Sequence, residues 1–268
     1  MTDPRYERLQ QTLHQLELTT MPLHLDRLSA QAAAENWSAL DFLDALTQTE
    51  VAARAEHNIR RKLHQAHLPF HKTLDEFDFA FQPSVNERQF RDLATMRFVA
   101  HAENLLLLGP PGVGKTHLAV ALGMCAVLQG MSVLFYSLPD LIQQLAHDAK
   151  ADRLPQRLQT LARPQLLILD EMGYFSLDKR SAHFLFQLVS RRYQRGSIIL
   201  TSNKSYTEWG DIFSDTVLAA ALLDRLLHQS LTVNIRGASY RLKDKLKVLP
   251  PSLNAKPTQA STPTAPLA

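Results

Sequence analysis

A chain of 268 residues that is 45% hydrophobic and 21% charged carries enough apolar material for one large domain or two smaller ones with real cores. Its formal net charge of +3 permits a nucleic-acid partner without demanding one, and the lone Cys125, in an apolar helix-like stretch, excludes an internal disulfide and reads as an inert thiol in a reducing cytoplasm. The apolar run Ala119 to Leu128 falls far short of the roughly 20 residues that cross a bilayer, and the opening MTDPRYERLQ lacks the apolar core of a secretory signal.

Residues 5 to about 100 have helical periodicity. Leu9, Leu13 and Leu16 share one face, and Pro22 suits the first turn of a second helix bearing Leu25, Leu28 and Ala32. Ser38 and Asp41 make a capping-box start for a long helix with Leu43, Leu46, Ile59 and Leu63, which ends before Pro69. His64, His67 and His71 share a helical side, but no cysteine or carboxylate completes a ligand set and Pro69 interrupts it, so zinc is not expected. Phe77, Phe79 and Phe81 alternate at period two, like a linker strand or an extended arm. Ser84 with Glu87 is expected to start a further helix carrying Phe90, Leu93 and Met96.

From Asn104 the pattern alternates between strand and helix, which predicts an α/β fold with a parallel five-stranded sheet covered on both faces. Strands are expected at 104–108, 132–136, 165–169, 197–202 and 230–236, with helices at about 115–129, 139–149, 179–194 and 215–229. Ser137 and Pro139 give a good helix start, and Arg153 to Pro164 is a polar, proline-flanked connection with some helical character. In the last strand Leu231, Val233 and Ile235 alternate with Thr232 and Asn234, as a half-covered edge would. After Leu249 the composition collapses to Pro, Ser, Thr and Ala, too little apolar surface to order a tail. Basic residues cluster at Arg60-Arg61-Lys62, at Arg88, Arg91 and Arg97, at Arg191-Arg192 with Arg195, and at Lys243, Lys245 and Lys247. Each alone reads as a solvated helix face, and only several on one surface would bind phosphates.

Between the first strand and the helix after it lies GPPGVGKT, residues 109 to 116. A strand, a glycine-rich loop and a helix form the context that the G-x-x-x-x-G-K-[ST] pattern requires. Gly109, Pro110, Pro111, Gly112, Val113 and Gly114 are expected to curl their backbone N–H groups around phosphate oxygens at a helix N-terminus. Lys115 would reach the β- and γ-phosphates, the Thr116 hydroxyl would ligate Mg²⁺, and His117 closes the stretch expected to line the nucleotide. The chain is therefore expected to bind a nucleoside triphosphate.

Leu166 to Leu169 runs into Asp170-Glu171. A carboxylate at the end of a strand beside the phosphate loop is where Mg²⁺ needs its second protein partner, and the adjoining Glu171 is suited to activating a water against the γ-phosphate. Hydrolysis is favoured over phosphoryl transfer, because a kinase must exclude water. The strand SIILTSNKS ends in Thr201, Ser202 and Asn203; Asn203 either satisfies a turn or holds the attacking water. Arg225, beside Asp224 on an apolar helix, either pairs with that carboxylate or supplies positive charge to the γ-phosphate.

The segments NLLLLGPPGVGKTHLAVAL, LLILDEMGY, IILTSNKSYTEWG and ALLDRLLHQS, in this order and spacing, closely resemble the IstB-like ATP-binding helper proteins of insertion sequences. That family is akin to the DnaC-type helicase loaders within the AAA+ ATPases. The resemblance covers about residues 5 to 247. It implies that Asp170 and Glu171 match Walker B, that Asn203 matches sensor 1, and that Arg225 matches an arginine finger acting on a neighbouring subunit's ATP. It further implies Mg²⁺-dependent, DNA-stimulated ATP hydrolysis, homo-oligomers that form on DNA with ATP, and a transposase of the same element as partner. A replicative helicase is the alternative partner. The expected organisation is a helical DNA- or partner-binding region over 1–82, an AAA+ core over 83–247 and a tail over 248–268. Only Gly237 to Lys247 follow the last strand before that tail, too few for a helical lid, and Arg241 is the residue left to stand in part for a lid-borne arginine.

Overall fold

The computed structural model describes residues 4–213 and 215–243, so Lys245, Lys247 and the tail from 248 lie outside the described residues. Three helices come first: α1 (Pro4–Gln15), α2 (Met21–Glu35) and α3 (Ala39–Gln65). Ser38 caps α3 reciprocally with Asp41, and Pro22 sits in the first turn of α2. Glu50 is buried against the start of α2, accepting from the Thr20 and Met21 N–H groups (2.7 and 3.2 Å) and from Arg54 Nε (3.0 Å). Leu13, Met21, Leu25, Leu28 and Leu46 form the small core of this region. Leu9, Leu16 and Leu43 remain largely exposed; that core is narrow and takes one leucine from each of α1 and the start of α3.

The second half of α3 leaves this core. Ile59 and Leu63 pack on the main domain, and the Phe135 N–H donates to the Ala66 carbonyl at 2.9 Å. Residues 73 to 85 then run as turns, with no strand at Phe77, Phe79 and Phe81, because Asp78 and Glu76 accept the local N–H groups of Phe81 and Thr73 and fold the segment back on itself. Helices α4 (Glu87–Leu93) and α5 (Arg97–Ala100) follow. Asn86 caps α4, not Ser84, whose hydroxyl instead accepts from the Arg236 N–H at 2.9 Å.

The core alternates as expected: β1 (Asn104–Leu108), α6 (Lys115–Leu128), β2 (Val133–Ser137), α7 (Leu138–Lys150), α8 (Leu154–Ala162), β3 (Leu166–Met172), α9 (Lys179–Arg192), β4 (Ser197–Ser202), α10 (Trp209–Ile212), α11 (Thr216–Leu227) and β5 (Ser230–Asn234). The strands form one parallel sheet in the order β2-β3-β4-β1-β5. Each face carries a core. Leu105, Leu107, Leu166, Ile168 and Ile199 join α6 and the second half of α3 on one side, while Leu106, Leu108, Leu167, Leu169 and Leu200 join α7, α8, α9 and α11 on the other. This two-sided burial explains why β1 and β3 are unbroken apolar runs. Cys125 is half-buried on α6, and burial pushes its thiol pKa up, consistent with an unreactive side chain.

Arg192 departs from the surface reading of its basic cluster. Its guanidinium is buried and donates to the carbonyls of Leu161, Ala162, Pro164, Gln165 and Ser197, tying the end of α8 and the start of β3 to the turn before β4. Burial pushes its pKa down to about 10. Arg191 and Arg195 stay exposed beside it. No group of His, Cys, Asp or Glu able to hold a metal ion forms at His64, His67 and His71 or elsewhere among the described residues. No described helix is long and apolar enough to cross a membrane.

Candidate functional site: a phosphate loop under a two-sided strap

The loop after β1 turns sharply at Gly112 (φ 82°), and a side chain there would also overlap the Ser239 hydroxyl. It leads into α6 with Lys115 as first residue, so the N–H groups of the helix start face the loop's interior. Lys115 is 7% exposed and its Nζ donates to the carbonyls of Gly109 (2.7 Å) and Pro110 (2.8 Å). Burial lowers its pKa to about 8, with Asp170 pulling the other way and Arg241 adding to the depression.

Asp170 is held from two directions. The Thr116 hydroxyl lies 3.0 and 2.9 Å from its two carboxylate oxygens, and the Thr201 hydroxyl donates to Oδ1. Thr201 comes from β4, which lies between β3 and β1, so it stands between the carboxylate and the loop strand. The same hydroxyl accepts from the Glu171 N–H at 3.0 Å. Here the β3–β4 register shifts and Glu171 takes a left-handed backbone (φ 68°), which turns its exposed carboxylate away from the ordinary strand direction. Thr201 is the residue whose role sequence reasoning missed; its signal is a hydroxyl near the end of a fully buried strand.

These groups share one cavity of about 350 Å³ with Gly112, Val113, Gly114 and His117. Its roof comes from two distant segments. From the N-terminal side, Phe77 seats its ring over Gly114 and edge-on to His117 (5.3 Å), while His117 Nε2 lies 2.9 Å from the Thr73 carbonyl. From the C-terminal side, the Tyr240 N–H donates to the Gly112 carbonyl (2.9 Å). The two halves are joined by Lys243 to Asp78 (2.6 Å) and by Tyr240 against Phe81 (5.3 Å between centroids). Arg241 lines the cavity with Glu171 and Tyr174, and its charge is felt by Lys115.

Two expected residues lie elsewhere. Asn203 follows β4 beside the turn after Glu171, its buried Oδ1 without a hydrogen-bond partner and close over Gly173. Arg225 is at the far end of the sheet. The carbonyl of its neighbour Leu226 accepts from Asn104 at the start of β1, whereas the loop is at that strand's end. Its guanidinium stacks over Phe186 (4.5 Å) and reaches the Ala221 carbonyl (3.4 Å) rather than Asp224, and it cannot touch the cavity of its own chain.

Residues 11–248 match the family model described as IstB-like ATP binding protein. The chain belongs to the IstB-like ATP-binding protein family. Among family relatives, it is 45% identical over 239 residues to the insertion sequence IS5376 putative ATP-binding protein of Geobacillus stearothermophilus, covering 89% of this chain and 95% of that one. It is 47% identical over 239 residues to the insertion sequence IS21 putative ATP-binding protein of Pseudomonas aeruginosa, covering 89% and 90%. Its fold is similar to AMPPCP-bound DnaA from Aquifex aeolicus (TM-score 0.52, 24% identity, 68% of this chain and 56% of that one). It is also similar to the replication initiator DnaA bound to AMPPCP and single-stranded DNA (TM-score 0.55, 22% identity, 72% and 58%). The architecture is thus a P-loop AAA+ core behind a helical N-terminal region, and no helical lid follows β5 among the described residues.

Proposed function

We propose that the protein is an ATP-hydrolysing helper of DNA transposition that assembles on DNA and assists the transposase of its own element. The observation that carries the chemistry is the convergence of Lys115, Thr116, Asp170 and Glu171 on one cavity, with Thr201 bonded to both carboxyl-bearing residues. The insertion-sequence relatives support the biological setting. The cavity is read as the ATP site, with the loop from Gly109 to His117 around the phosphates. On binding, Lys115 exchanges the Gly109 and Pro110 carbonyls for phosphate oxygens.

A hydroxyl beside a carboxylate is an oxygen donor set suited to Mg²⁺, so Thr116 and Asp170 would hold it, Asp170 directly or through water. Bound there, it would neutralise charge between the β- and γ-phosphates. Glu171 orients and deprotonates the attacking water, and Asn203, one residue beyond β4, senses the γ-phosphate through that turn. Arg241 meets the nucleotide of its own chain, whereas Arg225, remote from that cavity, serves a neighbouring copy. The site is then completed by homo-oligomerisation.

The division of labour follows the sequence reading. A helical region over 1–82 meets DNA or the transposase, the unit over 83–247 is the ATPase, and 248–268 is a tail; Phe77 to Gln82 also roof the nucleotide. Exposed Arg61, Arg88, Arg97, Arg191 and Arg195 are among the described cations available for phosphate contact. The test is sedimentation of the protein with duplex DNA and ATP. Glu171→Gln is expected to remain assembled on DNA and Lys115→Ala to fail to assemble. Normal assembly by Lys115→Ala would overturn the reading.

A further inference from the structure

Gln82 is 1% exposed, belongs to the strap over the loop, and lines the same cavity as Gly112 to His117. Its Nε2 donates to the Ala238 carbonyl at 2.9 Å. That contact fixes the amide orientation, because an oxygen in its place would face another oxygen. Oε1 is therefore the other branch, and it is buried with no hydrogen-bond partner. A buried acceptor left in this condition is costly unless something completes it. Gly237 packs against it without a side chain to crowd it: a Cβ there would stand 2.7 Å from Oε1.

The surroundings indicate what completes it. Lys115 and Thr116 mark where phosphates would sit, and the same cavity is walled by the aromatic rings of Phe77 and Tyr240. Such surfaces suit the flat faces of a heterocycle. Asp78, the neighbouring carboxylate in the wall, already accepts from the Phe81 N–H (2.9 Å) and from Lys243 (2.6 Å). Among the described residues lining this cavity, the buried side-chain acceptor without a partner is Gln82 Oε1. We infer that Gln82 Oε1 accepts a hydrogen bond from the exocyclic 6-amino group of a purine base, making Gln82 the residue that selects adenine over 6-oxo purines. A 6-oxo base would place oxygen against oxygen at this point. The inference rests on the reading of the cavity as a triphosphate site and adds the element that discriminates among triphosphates.

The experiment compares three nucleotides on the full-length protein by titration calorimetry: ATP, purine riboside 5′-triphosphate with hydrogen at C6, and inosine triphosphate. ATP is expected to bind roughly tenfold or more tightly than the 6-hydrogen analogue, with inosine triphosphate weaker still. In Gln82→Leu the difference between ATP and the 6-hydrogen analogue should vanish while the analogue's own affinity stays within about threefold. Equal binding of all three by the native protein refutes the inference alone, as does a Gln82→Leu variant that keeps the preference for ATP. Failure of the native protein to bind any of them refutes the triphosphate reading and the inference together. The native series decides the matter even if the variant does not fold.

Discussion

Replacing Thr201 with valine removes one hydroxyl from a position that is 1% exposed and keeps the shape nearly constant. Two hydrogen bonds disappear. The Glu171 N–H loses its acceptor, worth about 1–3 kcal/mol if it stays buried, and Asp170 loses a charge-assisted donor worth about 1.5–3 kcal/mol. Thr116 still donates to both carboxylate oxygens, so the net expected loss is about 2–4 kcal/mol. For a chain of this size that lowers the melting temperature by roughly 5–10 °C, measurable by calorimetry. The functional effect should be larger. Glu171 holds a left-handed backbone at a register shift, and a shift of about 1 Å in a catalytic group can cost on the order of a hundredfold in rate. Turnover of ATP should fall 10- to 100-fold, on the order of that estimate, while ATP affinity, set by the loop, changes by less than about threefold. Thr201→Ser, which retains the hydroxyl, should recover most of the rate. A Thr201→Val protein with lowered stability but turnover within twofold of native would refute the assignment of a positioning role.

Two further outcomes are expected. Burial lowers the Lys115 pKa to about 8 from its ordinary 10.5, so between those values the unfolded chain holds the extra proton and this group's contribution to stability rises with pH. For phosphate binding the sign is opposite: above about pH 8 the ammonium is lost, and ATP affinity should fall by up to about tenfold per pH unit, with a flat titration from pH 7 to 9.5 refuting it. Mixing Arg225→Ala with Lys115→Ala protein, each inactive alone, should restore part of the ATPase activity, because a native loop can then meet a native Arg225 from the other chain; an unchanged mixture would refute the shared site.

The sheet and the loop were legible because their signals are local. Four leucines entering GPPGVGKT, and an apolar run ending in Asp170-Glu171, fix strand ends and the residues on them within a few positions. The long α3 and its cap were legible for the same reason. What could not be read is what depends on contacts between distant segments. Phe77, Phe79 and Phe81 have the period of a strand, but Asp78 and Glu76 capture the local N–H groups and build turns instead. Arg192 looks like any cation on an amphipathic helix, and only the meeting of two loops around it makes five carbonyls available. Gln82 and Tyr240 are 158 positions apart from strap to strap, and nothing local in either announces that they roof one cavity.

Placing β4 between β3 and β1 has a consequence for how the protein comes into being. A chain that has left the ribosome only as far as α9 already contains every glycine of the loop and both carboxylates, but the strand that must lie between them has not been made. The loop strand and the carboxylate strand therefore have no direct path to each other, and insertion of a later segment is what brings them into one sheet. Contacts this distant in sequence are slow to form. The roof is later still, because Tyr240 and Arg241 come after β5. Capacity to hold a nucleotide thus arises only after the segment beyond β5 has been made, so that occupancy of the pocket marks a chain translated at least as far as Arg241.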